Sequence, residues 1–122
     1  MPFDPLPYAD GIRRANEREL AQTRRRAALA RTEARSLADR IAQADRDIVR
    51  VYLFGSLRED PPRNPDFDID LAIDGGDVYR AVEATESSPW RVDVVSLQLV
   101  PEHVRRRILE SGEVLYSRSP SS

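Results

Sequence analysis

Gly55-Ser56 is followed, after eleven residues, by Asp68-Ile69-Asp70, and a further acid stands at Asp93. A Gly-Ser turn can offer backbone N–H groups and a hydroxyl to a phosphate, and clustered carboxylates are oxygen ligands of the kind that suits Mg2+ or Mn2+. Together these are the parts that metal-dependent phosphoryl chemistry needs. Each is ambiguous alone, because Gly-Ser is a common turn dipeptide and a strand with one acidic face is a common edge strand.

The elements that must position these residues can be read around them. Ile48 to Phe54 (IVRVYLF) is rich in β-branched and aromatic residues and stops at Gly55-Ser56, so it predicts a buried strand ending in a tight turn, with a short helix starting near Leu57. In Asp66 to Asp74 (DFDIDLAID) apolar residues alternate with acids. A strand there puts Phe67, Ile69, Leu71 and Ile73 on one face and Asp66, Asp68 and Asp70 on the other. Acids two apart on a strand lie about 6.5 to 7 Å from each other, and like charges so placed are destabilising unless a cation sits between them. Trp90 to Ser96 (WRVDVVS) predicts a third strand, with Asp93 facing away from Val92 and Val94. Were it to lie beside the acidic strand, about 4.8 Å away, Asp93 would join Asp68 and Asp70. Three carboxylates could then hold two metal ions, one activating an attacking hydroxyl and one on nucleotide phosphates.

The rest of the chain supplies helices. After the prolines at 2, 5 and 7, residues from about Ile12 to Ala44 contain no Pro or Gly and are loaded with Ala, Arg, Glu and Leu, which predicts a long helix. Ala30, Ala34, Leu37, Ala38 and Ile41 form its apolar stripe, suited to docking on a sheet. The earlier half, with Arg24-Arg25-Arg26 and little apolar surface, is either an exposed helix or an arm for a partner or a second subunit. Asp77 to Ser87 reads as a short crossover helix, Pro101 to Glu110 as another that stops at Gly112, and Val114 to Tyr116 as a last short strand, with Ser117 to Ser122 frayed. The predicted organisation is a helical arm over 1–45, a core over 46–117 and a flexible tail over 118–122. The fold class is α/β (α+β), a small mixed sheet covered by helices.

Composition narrows the chemistry. The 122 residues contain no Cys, which removes disulfides, thiolate metal sites and a cysteine nucleophile, and every basic residue is Arg, so no catalytic lysine exists. One core can bury roughly two thirds of the unfolded surface at this length, which leaves no room for a second catalytic domain. The net charge of −2 does not argue for nucleic acid, although residues 1–35 carry eight Arg against five acids and the remainder eleven Arg against sixteen acids. The single histidine, His103, has no second histidine to ligate with and falls early in a surface helix. No membrane span or signal peptide is visible, so the cytoplasm is the expected location.

In order, LFGS, LRED, DFDIDLAI, VDVV and the tail PEHVRRRILESGEVLY, from about Ile48 to Tyr116, resemble the minimal nucleotidyltransferases of the DNA polymerase β-like superfamily. The resemblance implies that Gly55 and Ser56 hold the triphosphate of a nucleotide. It implies that Asp68 and Asp70 bind Mg2+, and that Asp93 completes the site and accepts the proton of the attacking hydroxyl. Within the intervening loop, Arg58 or Arg63 could reach phosphates through a bidentate fork, with a solvated loop arginine as the competing reading. Phe67 departs from the small polar residue often found before the first metal-binding acid, and Asp66 makes the register ambiguous; the Asp-Ile-Asp-Leu run favours Asp68 and Asp70. The implied activity transfers AMP from ATP to a hydroxyl, with a tyrosine of a HEPN-type ribonuclease toxin as acceptor and the protein as its antitoxin. Two other readings stay open: a catalytically inactive antitoxin that neutralises its partner by contact, and transfer to a small-molecule acceptor.

Overall fold

The computed structural model describes residues 6–118. In chain order these form α1 (Leu6–Ala44), β1 (Arg50–Phe54), a single 3-10 turn (Gly55–Arg58), β2 (Ile69–Asp74), α2 (Val78–Thr85), β3 (Val92–Ser96), α3 (Glu102–Ser111) and β4 (Glu113–Ser117). The strands make one mixed sheet in the order β3-β2-β1-β4. β1 is antiparallel to both β2 and β4, and β2 is parallel to β3 through the α2 crossover. The expected α+β architecture with a long first helix is what the chain adopts.

Alternation along the strands sorts residues to two faces. Val51 and Leu53 of β1, and Ile69, Leu71 and Ile73 of β2, are fully buried beneath α1 and α2. Ala27, Ala30, Ala34, Leu37, Ala38 and Ile41 meet them as the apolar stripe of α1. Small alanines let the helix approach the sheet closely, and Leu37 and Ile41 fill the gaps; truncating either to Ala would cost about 2 to 5 kcal/mol. Docking begins at Thr23, about two turns before the stripe expected from the sequence, while residues 9–22 are exposed throughout. The opposite face buries Tyr52, Ala72, Leu97 and Ile108, with Phe54, Val95 and Val104 packed beside them. On that face α3 lies against β1, and the β2–β3 side carries the acids.

Three features differ from the sequence reading. Helix α1 begins at Leu6, not near Ile12. Pro7 falls in its first turn, where the missing N–H would be unpaired anyway. Ser117, expected to be frayed, ends β4 opposite Arg50. Beyond it, Arg118 N–H donates to the Val49 carbonyl at 2.8 Å and its guanidinium bonds the Arg46 carbonyl, while the rest of the expected tail lies outside the described residues. Finally, β2 begins at Ile69, so Asp66 and Asp68 precede the regular strand.

Two sets of polar contacts hold the joints. Asp45, just past α1, accepts from Asp47 N–H at 3.1 Å and from Asp77 N–H at 2.8 Å, linking the end of α1 to the start of α2. Both hydrogen bonds favour its ionised form and hold its pKa below the usual carboxylate value. The second set ties α1 to the loop between β1 and β2. Arg31 donates to the Leu57 and Glu59 carbonyls at 3.2 and 3.0 Å, and Arg26 to the Pro65 carbonyl at 3.1 Å. Arg26 also covers the rings of Phe67 and Trp90, which stack 5.9 Å apart. Phe67 is thus a core aromatic beneath an arginine, which accounts for a bulky residue at this position.

Candidate functional site

Gly55 opens the turn after β1 with φ +77°, a left-handed conformation that glycine adopts without steric cost. Its Cα lies against the acidic strand: a Cβ added there would stand 2.1 Å from Asp70 Oδ2. The turn and the Asp-x-Asp run, separated by a loop in sequence, therefore touch through this one position. In the β1–β2 ladder Phe54 is the partner of Asp70, which fixes the contact.

Asp93 meets the same point from the other side. In the parallel β2–β3 ladder Asp70 is the partner of Asp93, so two carboxylates project from adjacent strands onto one face. Burial, the charge of Asp93 and the charge of Asp68, in that order, push Asp70 up to about 6. Asp68 is placed differently. Its Oδ1 is buried and has no hydrogen-bond partner, although Arg91 Nε lies 3.1 Å away as an ion-pair partner. The Arg91 side chain is 80% exposed, so this pair is weakly held.

The family described as Polymerase beta, Nucleotidyltransferase matches residues 38–121. The chain belongs to this nucleotidyltransferase family. No curated protein sequence matches it. Among solved structures, a crystal structure of a mutant toxin-antitoxin MntA-HpeT aligns with TM-score 0.56 and 16% identity, over 70% of this chain and 73% of that one. A toxin-antitoxin structure with AMP-PNP aligns with TM-score 0.56 and 18% identity, covering 69% and 73%. A toxin-antitoxin MntA-HepT structure gives 0.52 and 17%, covering 71% and 73%. At these identities the likeness is one of fold, and it agrees with the resemblance to minimal nucleotidyltransferases.

For a nucleotidyltransferase the acids must be tested as cation ligands. Among the described residues, no three His, Cys, Asp or Glu side chains converge as a ready group for one ion. Asp68 is drawn toward Arg91, while Asp70 and Asp93 face each other across the ladder. The donor set nevertheless fits a hard divalent cation: the carboxylates lie near enough for two to raise the pKa of the third, and one buried oxygen has no hydrogen-bond partner. A cation would relieve both conditions.

The arginines of this nucleotidyltransferase are deployed unevenly. Arg58 donates to the Ser111 carbonyl at 3.1 Å and lies 3.6 Å from Glu113, tying the turn to the junction of α3 and β4. Arg63 bonds Glu59 at 3.0 Å with its side chain 84% exposed. Arg107, the last of the Arg105-Arg106-Arg107 run on α3, lines both cavities beside Gly55. Its signal was helical phase: Val104, Arg107, Ile108 and Ser111 share one side of α3, toward the sheet. Among the described residues no helix is long and apolar enough to cross a membrane.

Proposed function

We propose that this nucleotidyltransferase moves AMP from ATP to a hydroxyl, that the hydroxyl belongs to a tyrosine of a HEPN-type ribonuclease toxin, and that the protein is the toxin's antitoxin. The observation that carries the catalytic part is the meeting of Gly55, Asp70 and Asp93 at one point of the sheet. The neighbours described as toxin-antitoxin structures, one with AMP-PNP, support the partner and the nucleotide.

In this reading the N–H groups of the Gly55–Arg58 turn and the Ser56 hydroxyl bind the phosphates, since a turn opened by glycine lets them approach the backbone. Asp68, Asp70 and Asp93 would hold Mg2+, or Mn2+ in its place. The ion supplies charge neutralisation at the phosphates and lowers the pKa of an attacking hydroxyl. Asp93 is exposed at the rim of the pair and accepts the hydroxyl proton. The acceptor oxygen attacks the α-phosphorus, the bond to the bridging oxygen breaks and pyrophosphate leaves. Arg58 stays with Ser111 and Glu113 as a support of the turn, and lends its charge to the phosphates from there.

The open β2–β3 side of the sheet suits a protein acceptor that brings its own walls. The exposed residues 9–22 of α1, with Ile12 and Leu20 on their surface, are the surface we assign to contact with the toxin or with a second copy. Calorimetry with ATP, GTP, CTP and UTP, with and without Mg2+, tests the site. Metal-dependent ATP binding that disappears in Asp68→Ala/Asp70→Ala is expected, followed by a mass gain of one AMP unit on the toxin. Neutralisation of the toxin by that double variant would instead make the protein a contact inhibitor.

A further inference from the structure

A cavity of about 380 Å3 is lined by Gly55, Ser56, Glu59, Arg63, Arg107 and Ser111. A second, of about 250 Å3, shares Gly55, Arg107 and Ser111 and adds the apolar side chains Phe54, Val104 and Ile108. The two form one cleft between α3 and the turn after β1, with Arg107 common to both parts.

Charge in this cleft is unevenly compensated. Glu59 is neutralised by Arg63 at 3.0 Å, and Arg58 is held 3.6 Å from Glu113. On α3, Arg105 and Arg106 each lie 3.9 Å from Glu102, at helical spacings of three and four. Arg107 falls one residue further on, past the reach of Glu102, and makes no ion pair among the described residues. Its guanidinium is therefore an uncompensated cation beside a glycine turn, a setting that favours a multiply charged anion over a neutral ligand.

We propose that Arg107 is a ligand of the nucleotide's polyphosphate, so that the α-phosphate stays beside the acids and the β- and γ-phosphates run past the Gly55-Ser56 turn along α3. The assignment rests on the nucleotidyltransferase reading and deepens it by giving the β- and γ-phosphates a place. It also makes the middle arginine of the run dispensable and the last one functional.

The test is titration calorimetry on the full chain with Mg2+ and either ATP or AMP, for the wild type and for Arg107→Ala, Arg107→Lys and Arg106→Ala. Arg107→Ala is expected to weaken ATP about 10- to 100-fold, as removal of a charge-assisted contact does, while AMP changes less than about twofold. Arg107→Lys should recover part of the loss, because charge survives without the fork, and Arg106→Ala should match the wild type. A melting curve of Arg107→Ala that matches the wild type excludes misfolding as the cause. Unchanged ATP affinity in Arg107→Ala, or equal losses for ATP and AMP, overturns the assignment while the wild type's own ATP binding upholds the broader reading. Failure of the wild type to bind any nucleoside triphosphate overturns both.

Discussion

Asp45 and Asp70 are both aspartates drawn into the protein, on opposite sides of the same sheet, and they have been treated in opposite ways. Asp45 receives two backbone N–H groups and its carboxylate is favoured. Asp70 receives burial and two like charges, and its pKa is pushed up to about 6. A fold optimised for stability alone would not set Asp68, Asp70 and Asp93 within interacting distance without a partner for each. The first arrangement joins elements; the second stores repulsion that a cation can release. Such local conflict amid a consistent fold is what a cation-binding site would require, and it supports the role proposed for the three acids.

The largest expected effect breaks the second arrangement. Asp70→Asn should lower nucleotide transfer by roughly 10^3-fold or more, since several kcal/mol of transition-state stabilisation depend on the ligand set. The same variant should be more stable than the wild type in the presence of a chelator, by roughly 1 kcal/mol after allowance for solvent screening. Denaturant unfolding and a transfer assay read the two together. A variant that loses stability as well as activity would place Asp70 with Asp45 as a structural group, and the contrast would collapse.

The converse change is Asp45→Ala, which leaves the Asp47 and Asp77 N–H groups without their acceptor. A loss of about 2 to 4 kcal/mol in urea unfolding is expected, with ATP affinity unchanged in the folded protein. Altered nucleotide affinity would show that the α1–α2 joint is coupled to the site across the sheet.

pH separates the two residues by sign. The folded pKa of Asp45 lies below its unfolded value, so its contribution is complete above about pH 4 and is lost as pH falls through the folded pKa. Asp70 is about 6 in the folded protein against about 4 unfolded, so the folded state is penalised as pH rises through that window. In chelator, the stability gain of Asp70→Asn should be near zero below about pH 4 and grow to a plateau above about pH 6. The deficit of Asp45→Asn should instead be full at neutral pH and shrink on acidification. Parallel curves would show that the two carboxylates are not differently partnered.

How far this contrast could be read without coordinates depends on the distance over which each cause acts. The period-two alternation of Phe67, Ile69, Leu71 and Ile73 is local, and it correctly sorted the apolar face from the acidic one. The helices and the mixed sheet followed from similarly local patterns. The register that sets Asp93 opposite Asp70 is not local: β2 and β3 are joined through α2, and only packing decides which residues pair. The arginines show the same limit. Arg26 closes an Arg-Arg-Arg run and Arg31 stands alone a little further along α1, yet they reach across to the Gly55–Pro65 loop and, for Arg26, the Phe67–Trp90 stack. Arg107 was hidden among equals because its significance lies in which side of α3 faces Gly55.

Arg91 gives the smallest and most discriminating prediction. It is the cation paired with Asp68, but the pair is solvated at the Arg91 end, so its strength is about 1 kcal/mol or less. If Arg91 merely stabilised the fold, Arg91→Ala would lower stability slightly and leave metal binding alone. If the acidic face is built for a cation, Arg91 is its competitor, and removing it should raise Mg2+ affinity by about two- to threefold in the presence of ATP. The gain should fade at high salt, where an exposed positive charge is already screened. Mg2+ titrations of the two proteins at low and high ionic strength measure this directly. Weaker Mg2+ binding in Arg91→Ala would mean that Arg91 orients Asp68 for the ion, and the repulsion at Asp70 would then be a by-product of packing more than a device for holding metal.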